Sequence, residues 1–544
     1  MASPLHSNFS SPQVGSQYRT AKPLPHVLRG ALAVYFEEGL YSQALNLLHS
    51  LLAAGGFSIR DSPVLPPAQY IALASTLTVH PSVTTRANSP EKVEAADLAT
   101  KYLRLLHKIY GSTNANFIEA FAFKHSGSSG RLETRRRRTQ EGHSPLEVKT
   151  NLDDINSELA TSGGLWTRAD DFWHVVGWAF NCSVRHKKRW ARWELWLKFM
   201  IDVLEKDWEH RNLEEKDESL IVRYINSGDR YRGGAYQKRI IRSIFADGTP
   251  KSLSEFKEIW KDETKERKSQ QSGTSSGSRK PIADINIEED NFGEYLHSSE
   301  SELEDAVADV HEEDGHGKPD STTILPDGTL PLGGPATLHL RMRLLSLLST
   351  ISHLTQEKSF APLGVLYDLY LSHLRPLPTP TFMTVLSPLS LRIFPPNAIC
   401  TLLQFPLRNI ISTSAPLPSE DDISQDLLET CYLPFAANTV SVADNAKLSI
   451  CIEGLLCIFD KVETLQWSQE LEDAAEIGIK AREEKAKMMK GRGRPKKGSR
   501  TEEGDEIDRI ILRASAGRIR AVVKMVRERE KGRGRESGEE MDTN

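Results

Sequence analysis

Apolar residues recur at intervals of three and four positions in many segments of this chain, and this spacing predicts amphipathic α-helices. The clearest predicted helices span 68–79, 90–110, 117–123, 190–208, 363–374, 382–394, 398–411 and 445–462. Alternation with a period of two, which is typical of strands, is essentially absent. The pattern therefore predicts an all-α protein, built as a helical bundle or an irregular α-solenoid.

The first predicted element is a helical hairpin that starts near Leu24 and turns at Gly39. Five of its residues resemble the middle of a tetratricopeptide repeat, and these are Tyr35, Gly39, Tyr41, Ala44 and Leu48. In that family a small residue lets the second helix pack closely on the first. The resemblance covers one unit, with no second copy after the repeat's interval of about 34 residues. An ordinary helical pair is the alternative.

Tryptophan is concentrated in one segment, which contains Trp166, Trp173, Trp178, Trp190, Trp193, Trp196 and Trp208. The helical spacing of these residues predicts that their rings form a core. The neighbouring cations would then form a solvated rim, which consists of Arg185, His186, Lys187, Lys188, Arg189 and Arg192. The alternative is a surface on which nucleic-acid bases stack.

Composition divides the chain into folded and unfolded segments. We predict a disordered N-terminus (1–20), an N-terminal helical region (21–123), a basic Arg-rich loop (124–160), a Trp-rich helical region (161–261), an acidic disordered linker (262–334), a C-terminal helical region (335–480) and a basic tail (481–544). Residues 284–320 contain fourteen Asp and Glu but a single Lys. Residues 482–535 contain nineteen Lys and Arg but nine Asp and Glu. The linker and the tail therefore carry opposite charge.

Residues 491–497 of the tail read Gly-Arg-Gly-Arg-Pro-Lys-Lys. Because Gly493 has no side chain, an extended backbone can reach the floor of a narrow groove while Arg492 and Arg494 point along it. The segment resembles the AT-hook family, which implies a preference for the minor groove of A·T-rich DNA. The resemblance assigns DNA contact to Arg492, Gly493, Arg494, Pro495, Lys496 and Lys497. A nuclear import signal is the alternative for the same residues.

Two further features of the tail bear on nucleic-acid binding. Gly532-Arg533-Gly534-Arg535 is followed by Glu536 where an AT-hook has proline, so we expect this second copy to be degenerate. Residues 506–529 predict a basic amphipathic helix, which either docks on the protein's own body or binds a partner helix or nucleic acid. Its apolar side is predicted to contain Ile507, Ile510, Ile511, Ala514, Ile519, Val522, Val523 and Val526, and its basic side Arg509, Arg513, Arg520, Lys524 and Arg527.

Catalytic and metal-binding motifs are not found in the sequence. The polar cluster Asp170, Asp171, His174, His186 and His210 matches no spacing of metal ligands, and the five cysteines include no Cys-x-x-Cys pair. Walker, Rossmann and nucleophile-elbow motifs are absent from the sequence as well. We therefore expect no enzyme activity, no cofactor and no metal. No run of about 18 apolar residues predicts a membrane span, and the polar N-terminus does not resemble a secretory signal.

Together these features predict a nuclear, DNA-associated scaffold or adaptor that acts in chromatin or genome maintenance. Its tail would bind A·T-rich DNA, and its helical body would bind protein partners. The main alternative is an RNA-binding or ribosome-biogenesis factor that uses the same basic segments. An enzyme whose site is assembled from distant residues is a third hypothesis.

Overall fold

Helices account for almost all regular structure in the part of the chain that can be described. The computed structural model describes residues 18–57, 63–123, 155–211, 216, 218–228, 234–265, 332–355, 361–387, 393–394, 396–418, 423–488 and 502–539. The one sheet within these ranges is a parallel pair of two-residue strands, β1 (Lys22–Pro23) and β2 (Val64–Leu65). The all-α class predicted from the spacing of apolar residues is confirmed.

Several of the predicted segments fall outside those ranges. They are the N-terminus up to residue 17, the Arg-rich loop from 124 to 154, the acidic linker from 266 to 331 and the AT-hook. The described residues beside them belong to the folded body, because Ile155 and Glu263 are buried. The body therefore extends into the segments that the sequence assigned to the loop and to the linker.

The N-terminal helices include the hairpin predicted around Gly39, whose φ of +75° suits a glycine at the turn. The helices are α1 (His26–Glu37), α2 (Tyr41–Phe57), α3 (Ala68–Val79), α4 (Pro90–Asn114) and α5 (Phe117–Ala120). Helix α1 contacts α2, and α4 contacts both α2 and α3. The boundaries of α3 agree with the prediction, because its apolar residues are flanked by Pro67 and Pro81, which favour termini.

The Trp-rich region forms the next helices, two of which are long. They are α6 (Leu165–Arg168), α7 (Phe172–Arg185), α8 (Lys187–His210), α9 (Leu220–Asn226), α10 (Ala235–Ile244) and α11 (Pro250–Glu255). Helix α8 contacts α7, α3 and α4, so this region and the N-terminal helices share one core.

The C-terminal helices begin after the acidic segment. They are α12 (Pro335–Thr355), α13 (Leu363–Leu374), α14 (Thr379–Val385), α15 (Pro396–Ile410), α16 (Gln425–Leu427), α17 (Val442–Lys461), α18 (Gln469–Lys487) and α19 (Glu502–Glu539), with a π-helical turn at Leu428–Tyr432. The single helix predicted across 382–394 is wrong, because α14 ends at Val385. Helix α18 was not predicted, since its sequence is mostly charged.

The helices before the acidic segment and those after it belong to one compact unit. Arg341 of α12 is 2% exposed and is one of the contacts that join them. Its guanidinium donates to the backbone carbonyls of Ile244 and Ala246, where α10 ends, and lies 4.0 Å from the centre of the Phe180 ring in α7. Burial lowers the pKa of Arg341 to about 9, so the side chain remains charged at neutral pH.

A second contact between the two regions contains a titratable group. His373 of α13 stacks on Phe245, with ring centres 5.0 Å apart and planes 8° apart. Burial lowers the pKa of His373 to about 4, and Arg242 acts in the same direction. Lys251 also lowers this pKa, whereas Asp247 and Glu255 raise it. The folded protein therefore holds this imidazole neutral through mildly acidic pH.

We predict that Arg341→Met lowers the free energy of unfolding by about 3–5 kcal/mol, because two buried carbonyls lose their charged donor. Arg343→Met in the same helix is the control. Arg343 pairs with Asp202 and Glu205, whose side chains are 53% and 28% exposed, so its loss should cost about 1 kcal/mol. Urea unfolding measures both variants, and equal losses would contradict the assigned role of Arg341.

We predict that His373→Phe makes folding less sensitive to acid. Between pH 7 and 5 the unfolded chain protonates this histidine near its ordinary pKa, whereas the folded chain does not. The native protein therefore loses about 2 kcal/mol of stability over this interval through His373 alone. The variant keeps the stacked ring and should lose that much less. Unfolding titrations at both pH values test this, with the exposed His26→Phe as control; identical pH profiles for His373→Phe and the native chain would refute it.

Candidate nucleic-acid interface

The six residues predicted to contact DNA, Arg492 to Lys497, lie outside the described residues. The helices on either side of them are described. Helix α18 ends at Lys487, and α19 begins at Glu502. The geometry of these two helices therefore defines the setting of the predicted AT-hook.

Ion pairs determine how α19 lies against its neighbours. Arg527 pairs with Glu472 and Arg520 with Glu476, so the residue numbers of α19 fall as those of α18 rise. These two helices are antiparallel. Arg518 pairs with Glu453 and Arg529 with Asp460, so α19 runs parallel to α17. The three helices contact one another, and the end of α18 and the start of α19 lie at the same end of this group.

The side of α19 that faces α17 and α18 is mostly apolar. Its buried apolar residues are Ile511, Leu512, Ala516, Ile519, Val522, Val523 and Val526, and the polar Asp508 and Ser515 are buried among them. Helix α19 contacts α17, α18 and α14, so the alternative in which this helix docks on the protein's own body is confirmed. The predicted apolar side is partly wrong, because Ile507, Ile510 and Ala514 are exposed.

Four arginines of α19 are held by carboxylates of the body: Arg518, Arg520, Arg527 and Arg529. Hydrogen bonds from Arg518 to Glu453 and from Arg520 to Glu476 raise the pKa of both arginines. The same contact with Arg520 lowers the pKa of Glu476. Among the cations predicted for the basic side, Arg513 and Lys524 are exposed and form no ion pair with another described residue.

Helix α18 is fixed to the body by a buried arginine and a close backbone approach. Arg482 is fully buried and donates to the carbonyls of Leu433 and Phe435, each at 3.0 Å. A Cβ at position 478 would overlap the Leu433 carbonyl, so only glycine allows this packing. Burial lowers the pKa of Arg482 to about 10. Arg482 thus belongs to the core, although its position predicted a cation of the basic tail.

The second Gly-Arg-Gly-Arg copy, residues 532–535, lies within α19. Its backbone is helical, whereas minor-groove contact by this motif needs an extended chain. The backbone is therefore incompatible with groove binding in this conformation. This agrees with the expectation, based on Glu536, that the copy is degenerate.

Six of the seven tryptophans of the Trp-rich region are buried, as the helical spacing predicted. Trp173, Trp193 and Trp196 are at most 1% exposed, and Trp190 packs against the core at partial burial. The indole of Trp173 donates to the Tyr224 carbonyl at 3.0 Å, and that of Trp196 donates to the Ser75 hydroxyl at 2.9 Å. These rings are occupied by the core and cannot serve as a stacking platform for bases.

The prediction that Arg189 belongs to a solvated rim is wrong. Its side chain is 2% exposed and pairs with Glu263, which also accepts from the Trp193 indole at 2.9 Å. The guanidinium donates to the Val79 carbonyl and the Thr84 hydroxyl, and it lies 5.2 Å from the centre of the Trp193 ring. Sequence reasoning missed Glu263 because the acidic linker was predicted to start at Asp262.

Some residues of the predicted polar cluster hold the fold together. The cluster consists of Asp170, Asp171, His174, His186 and His210. Asp171 caps α7 by accepting from the His174 amide at 2.7 Å and pairs with the buried Arg239. The His174 ring accepts from the Asp170 amide and contacts the Lys257 carbonyl at 3.0 Å. Within the described ranges, no group of three His, Cys, Asp or Glu side chains is arranged to hold a metal ion.

Similarity to known proteins gives no further assignment. No protein-family model matches the chain, and no curated protein matches it. Among the helices that can be described, none is both long and apolar enough to cross a bilayer.

We predict that Arg189→Met lowers the free energy of unfolding by about 3–5 kcal/mol, because Glu263 would be left as a buried, unpaired charge. Affinity of the folded variant for DNA or RNA should not change. The control is Lys187→Met, which removes an exposed cation two residues away and should leave stability within about 0.5 kcal/mol. Loss of nucleic-acid affinity in Arg189→Met with little loss of stability would contradict the core role.

Proposed function

We propose that this chain is a DNA-associated helical scaffold, held on A·T-rich DNA by residues 491–497 and bound to protein partners through its helical body. The observation that carries the proposal is the Gly-Arg-Gly-Arg-Pro-Lys-Lys sequence, which combines two groove-reaching arginines with a side-chain-free residue between them. Nuclear localisation and a role in chromatin or genome maintenance follow from that partner.

The setting of the motif supports tethering. Residues 489–501 connect two helices that contact each other and α17. Because this connection has only 13 residues, DNA bound to it would remain close to the folded body. A single hook neutralises few phosphates, so its affinity should be modest and should fall steeply with salt.

The RNA-binding alternative requires exposed cations, but several of the cations in the basic segments are buried or paired with carboxylates. Arg189 and Arg482 are buried, and four arginines of α19 pair with carboxylates: Arg518, Arg520, Arg527 and Arg529. Fewer cations are left for contact with RNA phosphates than the sequence suggested. This favours a short, groove-specific contact over a broad basic surface.

We predict that replacing both Arg492 and Arg494 by alanine abolishes the preference for A·T-rich over G·C-rich duplex DNA. The physical reason is that the narrow minor groove of A·T tracts attracts these two guanidinium groups. Fluorescence anisotropy at one fixed salt concentration, with A·T-rich duplex, G·C-rich duplex and structured RNA, measures the preference.

The matched control replaces Arg533 and Arg535 by alanine. This variant removes the same charge from the second Gly-Arg-Gly-Arg copy, which is helical, and should keep the preference for A·T-rich DNA. Equal binding of all three nucleic acids by the native chain would refute the proposed function, and tighter binding of RNA would favour the alternative.

A further inference from the structure

Helix α19 has a second apolar stripe, on the side that faces away from α17 and α18. We call it the outer face of α19, and it consists of Ile507, Ile510, Ala514, Gly517, Ala521 and Met525. Ile507, Ile510 and Met525 are 42%, 56% and 56% exposed, and the three small residues are exposed as well. A helix that docks on one body needs only one apolar stripe. The second stripe marks a contact surface.

The outer face is shaped to receive another helix. Its large residues stand towards the two ends, and its small residues occupy the middle. A Cβ at Gly517 would meet nothing within 4 Å, so the centre of the face is open. Steps of three and four residues along the face match the seam of two packed helices.

We propose that the outer face of α19 binds the same face of a second copy of this chain, with the two helices antiparallel. A two-fold axis near residues 515 and 516 sets Ile510 against Ala521 of the second copy. It sets Ala514 against Gly517 and Ile507 against Met525. Ile510 then meets a small residue, the centre of the seam is lined by small residues, and Ile507 packs on Met525 at each end. The two copies present the same surface to each other, which is the self-complementarity that a two-fold interface requires.

Charge along one edge of this face selects the antiparallel orientation. Helical spacing puts Glu506, Arg513 and Lys524 on that edge. Glu506 pairs with Arg509 of its own helix at 3.1 Å. In the antiparallel pair it also lies beside Lys524 of the second copy, and the two-fold axis repeats this contact at the other end. In a parallel pair this edge would instead lie beside the opposite edge of the second copy, so Glu506 and Lys524 would not meet.

One consequence rests on the proposed function. Helix α19 starts at Glu502, with four residues between it and the end of the predicted hook, and at a rise of about 1.5 Å per residue the two starts lie about 40 Å apart in the dimer. Two hooks that leave from opposite ends can reach two A·T tracts about 12 base pairs apart. Binding two tracts at once would offset the low affinity of a single hook.

The first test is sedimentation equilibrium of the full chain over a range of concentrations. We expect the native chain to reach a dimer and Gly517→Leu to stay monomeric, because the added side chain blocks close approach. The thermal stability of this variant should be unchanged or higher, since leucine is the better helix former. Val27→Lys, at an exposed apolar position of α1, is the control and should dimerise normally.

The second test fixes the orientation. Disulfide crosslinking should join Ile507→Cys to Met525→Cys when the two single variants are mixed. Neither variant should crosslink alone, because two copies of position 507 lie about 26 Å apart in the antiparallel pair. The native chain measures the background from its own cysteines, of which Cys182, Cys431 and Cys451 are buried.

Charge reversal gives a third measurement. Glu506→Lys and Lys524→Glu should each weaken the dimer several-fold, and the double variant should regain most of the loss. A native chain that is monomeric at every concentration, a Gly517→Leu chain that still dimerises, or self-crosslinking of either single cysteine variant would overturn the proposal. None of these readouts uses DNA, so they stand apart from the proposed function.

A DNA measurement then examines the spacing. The native chain should bind a duplex with two A·T tracts about 12 base pairs apart more tightly than a duplex with one tract, and Gly517→Leu should lose this difference. A dimer that shows no preference for two tracts would refute the spacing and leave self-association intact.

Discussion

Buried arginines that bind the carbonyl ends of other helices hold this fold together. The last residues of a helix leave carbonyls without a hydrogen-bond donor, and the negative end of the helix dipole attracts a cation. Arg189 reaches the last carbonyl of α3, Arg341 reaches that of α10, and Arg482 reaches the carbonyl after the π-helical turn. Each contact joins segments that are distant in the sequence, and each offsets the cost of burying a guanidinium.

The contact at Arg482 has a consequence for the C-terminal segment. Because α18 is fixed by Arg482 and Gly478, it presents Glu472 and Glu476 to the arginines of α19. Four arginines of a segment that is strongly basic in sequence are therefore neutralised by the body on which it lies. Its remaining cationic character is concentrated in residues 489–501 and in a few exposed side chains, which narrows the region available for polyanions.

The same docking gives α19 two distinct faces. The inner face packs against α14, α17 and α18. The outer face of α19 retains apolar side chains that no other described helix covers. A helix in this arrangement can serve the fold and an assembly at once. If two chains pair through it, the connection that carries the hook motif is duplicated, and weak contacts with DNA act together.

The sequence by itself determined the helical class, the boundaries of some helices and the burial of most of the tryptophans. These properties follow from local periodicity and from flanking proline and glycine, which act over a few residues. The boundaries of α3 and α13 and the turn at Gly39 are of this kind. The proposal of a hook motif also depends on consecutive residues alone.

Only the tertiary structure decided which charged residues are buried and which face of α19 is inward. Arg189, Arg341 and Arg482 have the same sequence character as exposed arginines, and what buries them is a carbonyl or carboxylate from a distant segment. Ile507 and Ile510 could have joined the core if α17 and α18 had approached from another side. Local pattern specifies an element, whereas its partners and its orientation depend on contacts between residues far apart in the chain, which no local spacing encodes.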